Sequence, residues 1–228
     1  MANSLHILYE EGFCLAVNKP AGLLTQSPPG IDSLERQVKD YLGSEYLGVP
    51  HRLDRPVSGV ILFGKNSRTT HRISQQFEQR QIDKTYWAVV EGHIDEESGT
   101  WIDYMRKVPD RPIAEIVPPI NSDAREAILH FTVLQRLADC TLLEIRLETG
   151  RMHQIRLQSA AHGHPILGDA MYGSQRPFGE QFDDERRRPI ALHARSLKFV
   201  QPTSKEPVEI LAPLPEVWGK IGFPETGC

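Results

Sequence analysis

Asp54 stands between two arginines in the segment His51-Arg52-Leu53-Asp54-Arg55-Pro56-Val57-Ser58-Gly59, and Val60-Ile61-Leu62-Phe63 follows without a polar interruption. An opposite charge within a few ångströms favours an ionised aspartate and lowers its pKa by roughly one to three units. The apolar run reads as a buried strand, so the loop feeding it is anchored against a core. A charged group beside core strands is costly unless it is paired or used. The pattern points to a catalytic carboxylate kept charged by guanidinium groups at the mouth of a pocket. An ordinary Arg–Asp ion pair tying a loop to a sheet would use the same residues, so the segment takes its meaning from its company.

That company is four further segments. Val17-Asn18-Lys19-Pro20-Ala21-Gly22-Leu23 precedes it, and Lys84-Thr85-Tyr86-Trp87-Ala88-Val89-Val90-Glu91-Gly92 follows. Gly150-Arg151-Met152-His153-Gln154-Ile155-Arg156 comes next, with Gly163-His164-Pro165-Ile166-Leu167-Gly168-Asp169 close behind. In this order the segments resemble the RluA-type family of pseudouridine synthases, which isomerise uridine in RNA. The likeness runs from about residue 5 to about residue 212. Three positions depart from the family pattern: Val57 replaces the usual Thr, Met152 the usual Thr or Ser, and Gln26 a frequent His. None of them removes a charged catalytic group.

The resemblance implies a single catalytic domain over 1–228, without an N-terminal S4-like RNA-binding module, and a central, largely antiparallel or mixed sheet flanked by helices and loops. It implies that Asp54 acts on the ribose. Breaking the N1–C1′ bond leaves C1′ electron-poor, so a carboxylate can attack or stabilise it; alternatively the carboxylate abstracts a proton at C2′. Arg156 matches the arginine that pairs with that aspartate, and a bidentate guanidinium would hold it ionised. Tyr86 matches the tyrosine that stacks on uracil and serves proton transfer at C5. Substrate-binding roles fall to Arg52, matched to extrusion of the stacked base, to Arg151 at phosphate, to Ile155 beneath the base, and to His51 in the Asp54 segment. No metal or cofactor is expected, since no redox step or phosphate transfer occurs. The partner is RNA, ribosomal or transfer, with no membrane and no obligatory protein partner; a cytoplasmic monomer is expected.

Composition agrees with a folded enzyme. The 228 residues are 39% apolar and 25% charged, enough for one large domain or two small ones. No long apolar stretch marks a signal peptide or membrane span. Cys14, Cys140 and Cys228 are widely spaced, with no C-x-x-C, so neither a disulfide framework nor a zinc ribbon is expected. The net charge of -4 is low for an RNA-binding chain. Positive charge is local, at Arg52 and Arg55, Arg151 and Arg156, and Arg186 to Arg188, which suits a basic cleft on an acidic body.

The elements that position these residues are partly legible. Asp32-Ser33 caps a helix towards Leu42 with Gly43 as its stop, and Asn66 or Ser67 opens a polar helix to about Arg80. Short strands flank Glu11-Gly12. Leu143, Ile145 and Leu147 alternate with charged neighbours as in a half-buried strand, paired with Glu126 to Gln135. Met152 to His162 reads as a short helix before Gly163, and strands follow near 190–200 and 208–211. Runs of strands with few helices indicate α+β. Two other readings exist. His153, His162, His164, Asp169 and His193 could serve a metal-dependent hydrolase, although their spacing fits no metal motif. A catalytically dead RNA-binding factor would not need Asp54, Tyr86 and Arg156 together.

Overall fold

A computed structural model describes residues 5–222; Cys228 lies outside them. The described residues form two compact units that interleave in sequence, the first from residues 5–84, 182–189 and 193–222, the second from 85–181 and 190–192. Both are sheets with few helices, so the chain is α+β, as expected.

In the first unit β1 (Ile7–Glu11) and β2 (Cys14–Lys19) form a hairpin around Gly12, and β2 pairs antiparallel with β3 (Ser58–Gly64). All seven residues of β3 are buried, which is why its sequence is a continuous apolar run rather than an alternation. Between β2 and β3 lies α1 (Leu34–Leu42). Ser33 accepts the N–H of Arg36 at its start, and Gly43 takes the left-handed conformation at its end. After β3, α2 (Ser67–Glu78) is capped by Asn66, which accepts from Thr69 N–H, and buries Thr69, Ile73 and Gln76.

The second unit is antiparallel. Its β4 (Asp83–Glu91) starts at the unit boundary and pairs with β8 (Cys140–Leu147). β5 (Ser98–Lys107), β6 (Ala114–Ile116) and β7 (Arg125–Leu137) complete the order β4-β8-β7-β5-β6. The sequence reading did not anticipate β5 or β6. α3 (Gln154–Ala161) follows, with Gln154 to Ser159 all buried. The chain then returns to the first unit as β9 (Leu192–Val200) and β10 (Pro207–Leu211). Ser58 and Gly59 pair parallel with His193 and Ala194, and β10 lies antiparallel on β9. Gly59 has φ +119° and sits against the Ala194 backbone, where a Cβ would collide. Cys14 and Cys140 are buried free thiols. No helix among the described residues is long and apolar enough to cross a membrane.

Candidate active site

In the first unit the Asp54 segment is a short loop emptying into β3, and each neighbour of Asp54 is pinned through its backbone. Leu53 is held on both sides by Thr25: its carbonyl accepts Thr25 Oγ1–H at 2.8 Å and its N–H donates to the same oxygen at 3.2 Å. The Arg55 carbonyl accepts from Gly22 N–H at 2.8 Å and from Lys19 Nζ at 3.2 Å. Val57 N–H returns to the Asp54 carbonyl at 3.1 Å and closes the turn. Asp54 is half-buried. Its backbone can hardly move without breaking one of these bonds.

Lys19 was not singled out from sequence, yet it is among the largest fully buried side chains. Its ammonium donates to the carbonyls of Pro20, Leu23 and Arg55 at 2.9, 2.8 and 3.2 Å. Burial pulls its pKa down to about 7, against a raising influence from the Asp54 charge. The three carbonyls require three hydrogens, which only the protonated form supplies.

Arg52 is exposed and enters no ion pair among the described residues. Arg55 has two partners of its own: Nε donates to Gly22 O at 3.0 Å and Nη1 to Asp184 at 3.1 Å. His51 is committed to the fold. Its Nε2 accepts Leu62 N–H at 2.9 Å and its ring lies 4.6 Å from that of Phe77. Burial and the nearby Lys84 charge push its pKa down to about 3, so the ring is neutral and supports the loop. Behind β3, Ser58 Oγ and His193 Nδ1 lie 2.8 Å apart, both buried, and His193 Nε2 is 3.2 Å from the Ala212 carbonyl.

In the second unit Tyr86 stands half-buried on β4 opposite Ile145. Arg151, Ile155 and Arg156 are brought together at the start of α3, which His153 enters in the left-handed conformation at φ +54°. Gln154 organises this turn: its Oε1 accepts from Arg151 N–H at 3.0 Å and Thr149 Oγ1–H at 2.9 Å. The Arg151 guanidinium, largely exposed, donates Nε–H to the Glu126 carbonyl at 2.9 Å. Ile155 is core, 4% exposed. Within this unit Arg156 forms a buried two-point pair with Asp169, at 2.6 and 2.8 Å. From sequence, Asp169 stood among the possible metal ligands, not as the partner of Arg156.

Of the three departures from the family pattern, Val57 is core, Gln26 bonds Glu35 at 3.1 Å, and Met152 is exposed. The residues considered for a metal site are used otherwise. His153 Nδ1 is 2.8 Å from the Tyr172 hydroxyl, His164 Nδ1 3.0 Å from the Glu91 carbonyl, and His162 stacks on Trp101 beside Asp103. No group of three or more His, Cys, Asp or Glu among the described residues is placed to hold a metal ion.

Comparison with known proteins agrees with these motifs. Residues 14–161 match the family described as RNA pseudouridylate synthase. The tRNA pseudouridine synthase C of Vibrio vulnificus is 34% identical, over 95% of this chain and 94% of its own length. An RNA pseudouridine synthase of Bacillus subtilis is 35% identical over 93% of this chain and 70% of its own length. Among solved structures, human RNA pseudouridylate synthase domain containing 1 superposes with a TM-score of 0.75 at 25% identity, covering 94% of this chain and 86% of that one.

Proposed function

Since the chain belongs to the RNA pseudouridylate synthase family and is an isomerase acting on RNA, we propose that it converts specific uridines to pseudouridine with Asp54 as the reacting carboxylate. The observation that carries this reading is the loop itself. A half-buried carboxylate has both neighbours fixed by Thr25, Gly22 and Lys19, and holding a reacting group still is how a site avoids the cost of orienting it during reaction. Tyr86 and Arg156, matched to the family's motif positions, complete the set. Tyr86 stacks on uracil and moves the proton at C5, and Arg156 holds the reacting carboxylate ionised. Arg52, exposed and in no ion pair among the described residues, suits the gap left when the uridine leaves its stack, a step costing a few kcal/mol. Arg151 contacts phosphate, while Ile155 and His51 shape the site from within.

The reaction breaks N1–C1′ and forms C5–C1′ in one nucleotide, so it consumes no oxidant, reductant or group donor. Transfer RNA is the favoured substrate, because a relative named for tRNA matches over nearly the full length of both chains; ribosomal RNA is the second candidate. We place the activity in the cytoplasm, with the chain acting as a monomer.

The test is tritium release from RNA labelled at uridine C5, with wild type and Asp54→Asn side by side on tRNA and rRNA. Release that requires wild-type protein and disappears in Asp54→Asn is expected, with the larger signal from tRNA. Undiminished release by Asp54→Asn would remove Asp54 from the mechanism.

A further inference from the structure

In the second unit two side chains from one tight turn hold Arg156. Asp169 meets the guanidinium along one edge, with Nε donating to Oδ2 at 2.6 Å and Nη2 to Oδ1 at 2.8 Å. Both side chains are almost wholly buried, at 4% and 1% exposure. Tyr172 supplies a second surface, its ring centroid 5.1 Å from the guanidinium carbon. The turn is itself anchored: Asp169 N–H donates to Ile166 O, while Tyr172 N–H and Ser174 N–H both donate to Asp169 O, all within 3.1 Å. The Tyr172 hydroxyl accepts Ala114 N–H at 3.0 Å and lies 2.8 Å from His153 Nδ1. One strand, one helix start and one turn therefore converge on the plane of a single guanidinium.

We propose that Asp169 and Tyr172 are positioning residues that fix the plane of Arg156 for the isomerisation. This rests on the role given to Arg156 above and adds what holds that arginine. A guanidinium presents five hydrogens in a rigid planar fork. Engaging Nε and Nη2 fixes the plane of the fork and with it the direction of Nη1. The aromatic face prevents tilting out of that plane. A displacement of about 1 Å at such a group costs on the order of a hundredfold in rate.

The experiment compares wild type, Asp169→Asn, Asp169→Glu and Tyr172→Phe in single-turnover tritium release, RNA affinity, and the NMR signal of the Arg156 Nε–H. Asp169→Asn is expected to slow the chemical step about a hundredfold, with RNA affinity within about twofold of wild type and the Nε–H signal losing its protection from exchange. Asp169→Glu, which keeps the charge, should recover part of the rate. Tyr172→Phe keeps the ring and should lose about tenfold, following release of the anchoring hydroxyl. A folded Asp169→Asn at the wild-type rate, or one that loses rate and RNA affinity in parallel, overturns the proposal. Should neither Asp169 variant fold, Tyr172→Phe is judged by the same two criteria. A wild-type chain that releases no tritium refutes the proposed reaction instead; the clamp then stands or falls on Nε–H protection in wild type and its loss in Asp169→Asn.

Discussion

Lys19 Nζ lies 3.2 Å from the carbonyl oxygen of Arg55, 36 positions further along the chain, and this bond joins the end of β2 to the loop that carries Asp54. The same ammonium closes the Pro20 and Leu23 carbonyls. The loop is thus held by a buried charge whose hydrogens are all in use.

The first prediction concerns that charge. Lys19 titrates near 7 in the folded chain, against 10.5 for an ordinary lysine. Raising the pH through about 7 removes one of three hydrogens and loosens the grip on Arg55, so activity should fall on the alkaline side. Stability moves the other way. Between about pH 7 and 10.5 the unfolded chain binds more protons, so the Lys19 contribution to stability grows with pH across that window and is lost as pH falls through 7. Lys19→Met should abolish the alkaline limb of the pH–rate profile. It should also cost about 3 kcal/mol in urea unfolding, because buried carbonyls lose their donor. An unchanged limb in Lys19→Met would dissociate this lysine from the loop.

His193 sets an acid limit on stability. Burial pushes its pKa from 6.5 down to about 4, so the unfolded chain binds the extra proton first. The stability it contributes is complete above about pH 6.5 and is lost as pH falls through 4; the full span is worth about 3 kcal/mol. Urea midpoints of wild type and His193→Gln, measured from pH 7 to 4, should converge towards the acid end. His51, held down to about 3, acts in the same direction and leaves a residual slope. Parallel curves for the two proteins would show that His193 does not stay neutral in the fold.

Gly59 cannot be replaced. Its φ of +119° is open only to glycine, and a Cβ would meet the Ala194 backbone. Gly59→Ala should cost at least about 3 kcal/mol, comparable to other severe backbone conflicts, and should weaken the β3–β9 pairing that ends the Asp54 loop. Thermal melting within a few degrees of wild type would contradict this.

Tyr86→Phe separates stacking from proton transfer. The ring remains and the hydroxyl goes, so the single-turnover rate should drop by about two to four orders of magnitude, the usual contribution of a positioned acid or base, while RNA affinity stays near the wild-type value. Loss of affinity with an intact rate would reassign Tyr86 to binding alone.

Local signals were legible in the sequence. Ser33, Gly43 and Asn66 delimit α1 and α2 because capping is a short-range hydrogen-bond problem. The antiparallel pair of β7 and β8 follows from plain alternation in β8. β5 escaped because its pattern is broken: Trp101 and Met105 face the core while Ile102 on the opposite side is also apolar and 58% exposed. The motif residues of the site could be read, but their supports could not. Lys19 works through backbone carbonyls, which no side-chain pattern encodes. Asp169 reaches Arg156 from a turn 13 residues away, where Gly-Asp reads as ordinary turn chemistry. His51, grouped with substrate contacts, spends its Nε2 on the strand behind it.

The bond between Ser58 and His193 spans 135 positions, and this separation has a consequence for the making of the protein. On a ribosome adding about 5–20 residues per second, the strand that ends the Asp54 loop waits roughly 7–27 s for its parallel neighbour. Until then β3, buried along its whole length in the finished fold, has one edge without its final partner. The most protected strand of the finished first unit is therefore the one most dependent on shelter during synthesis.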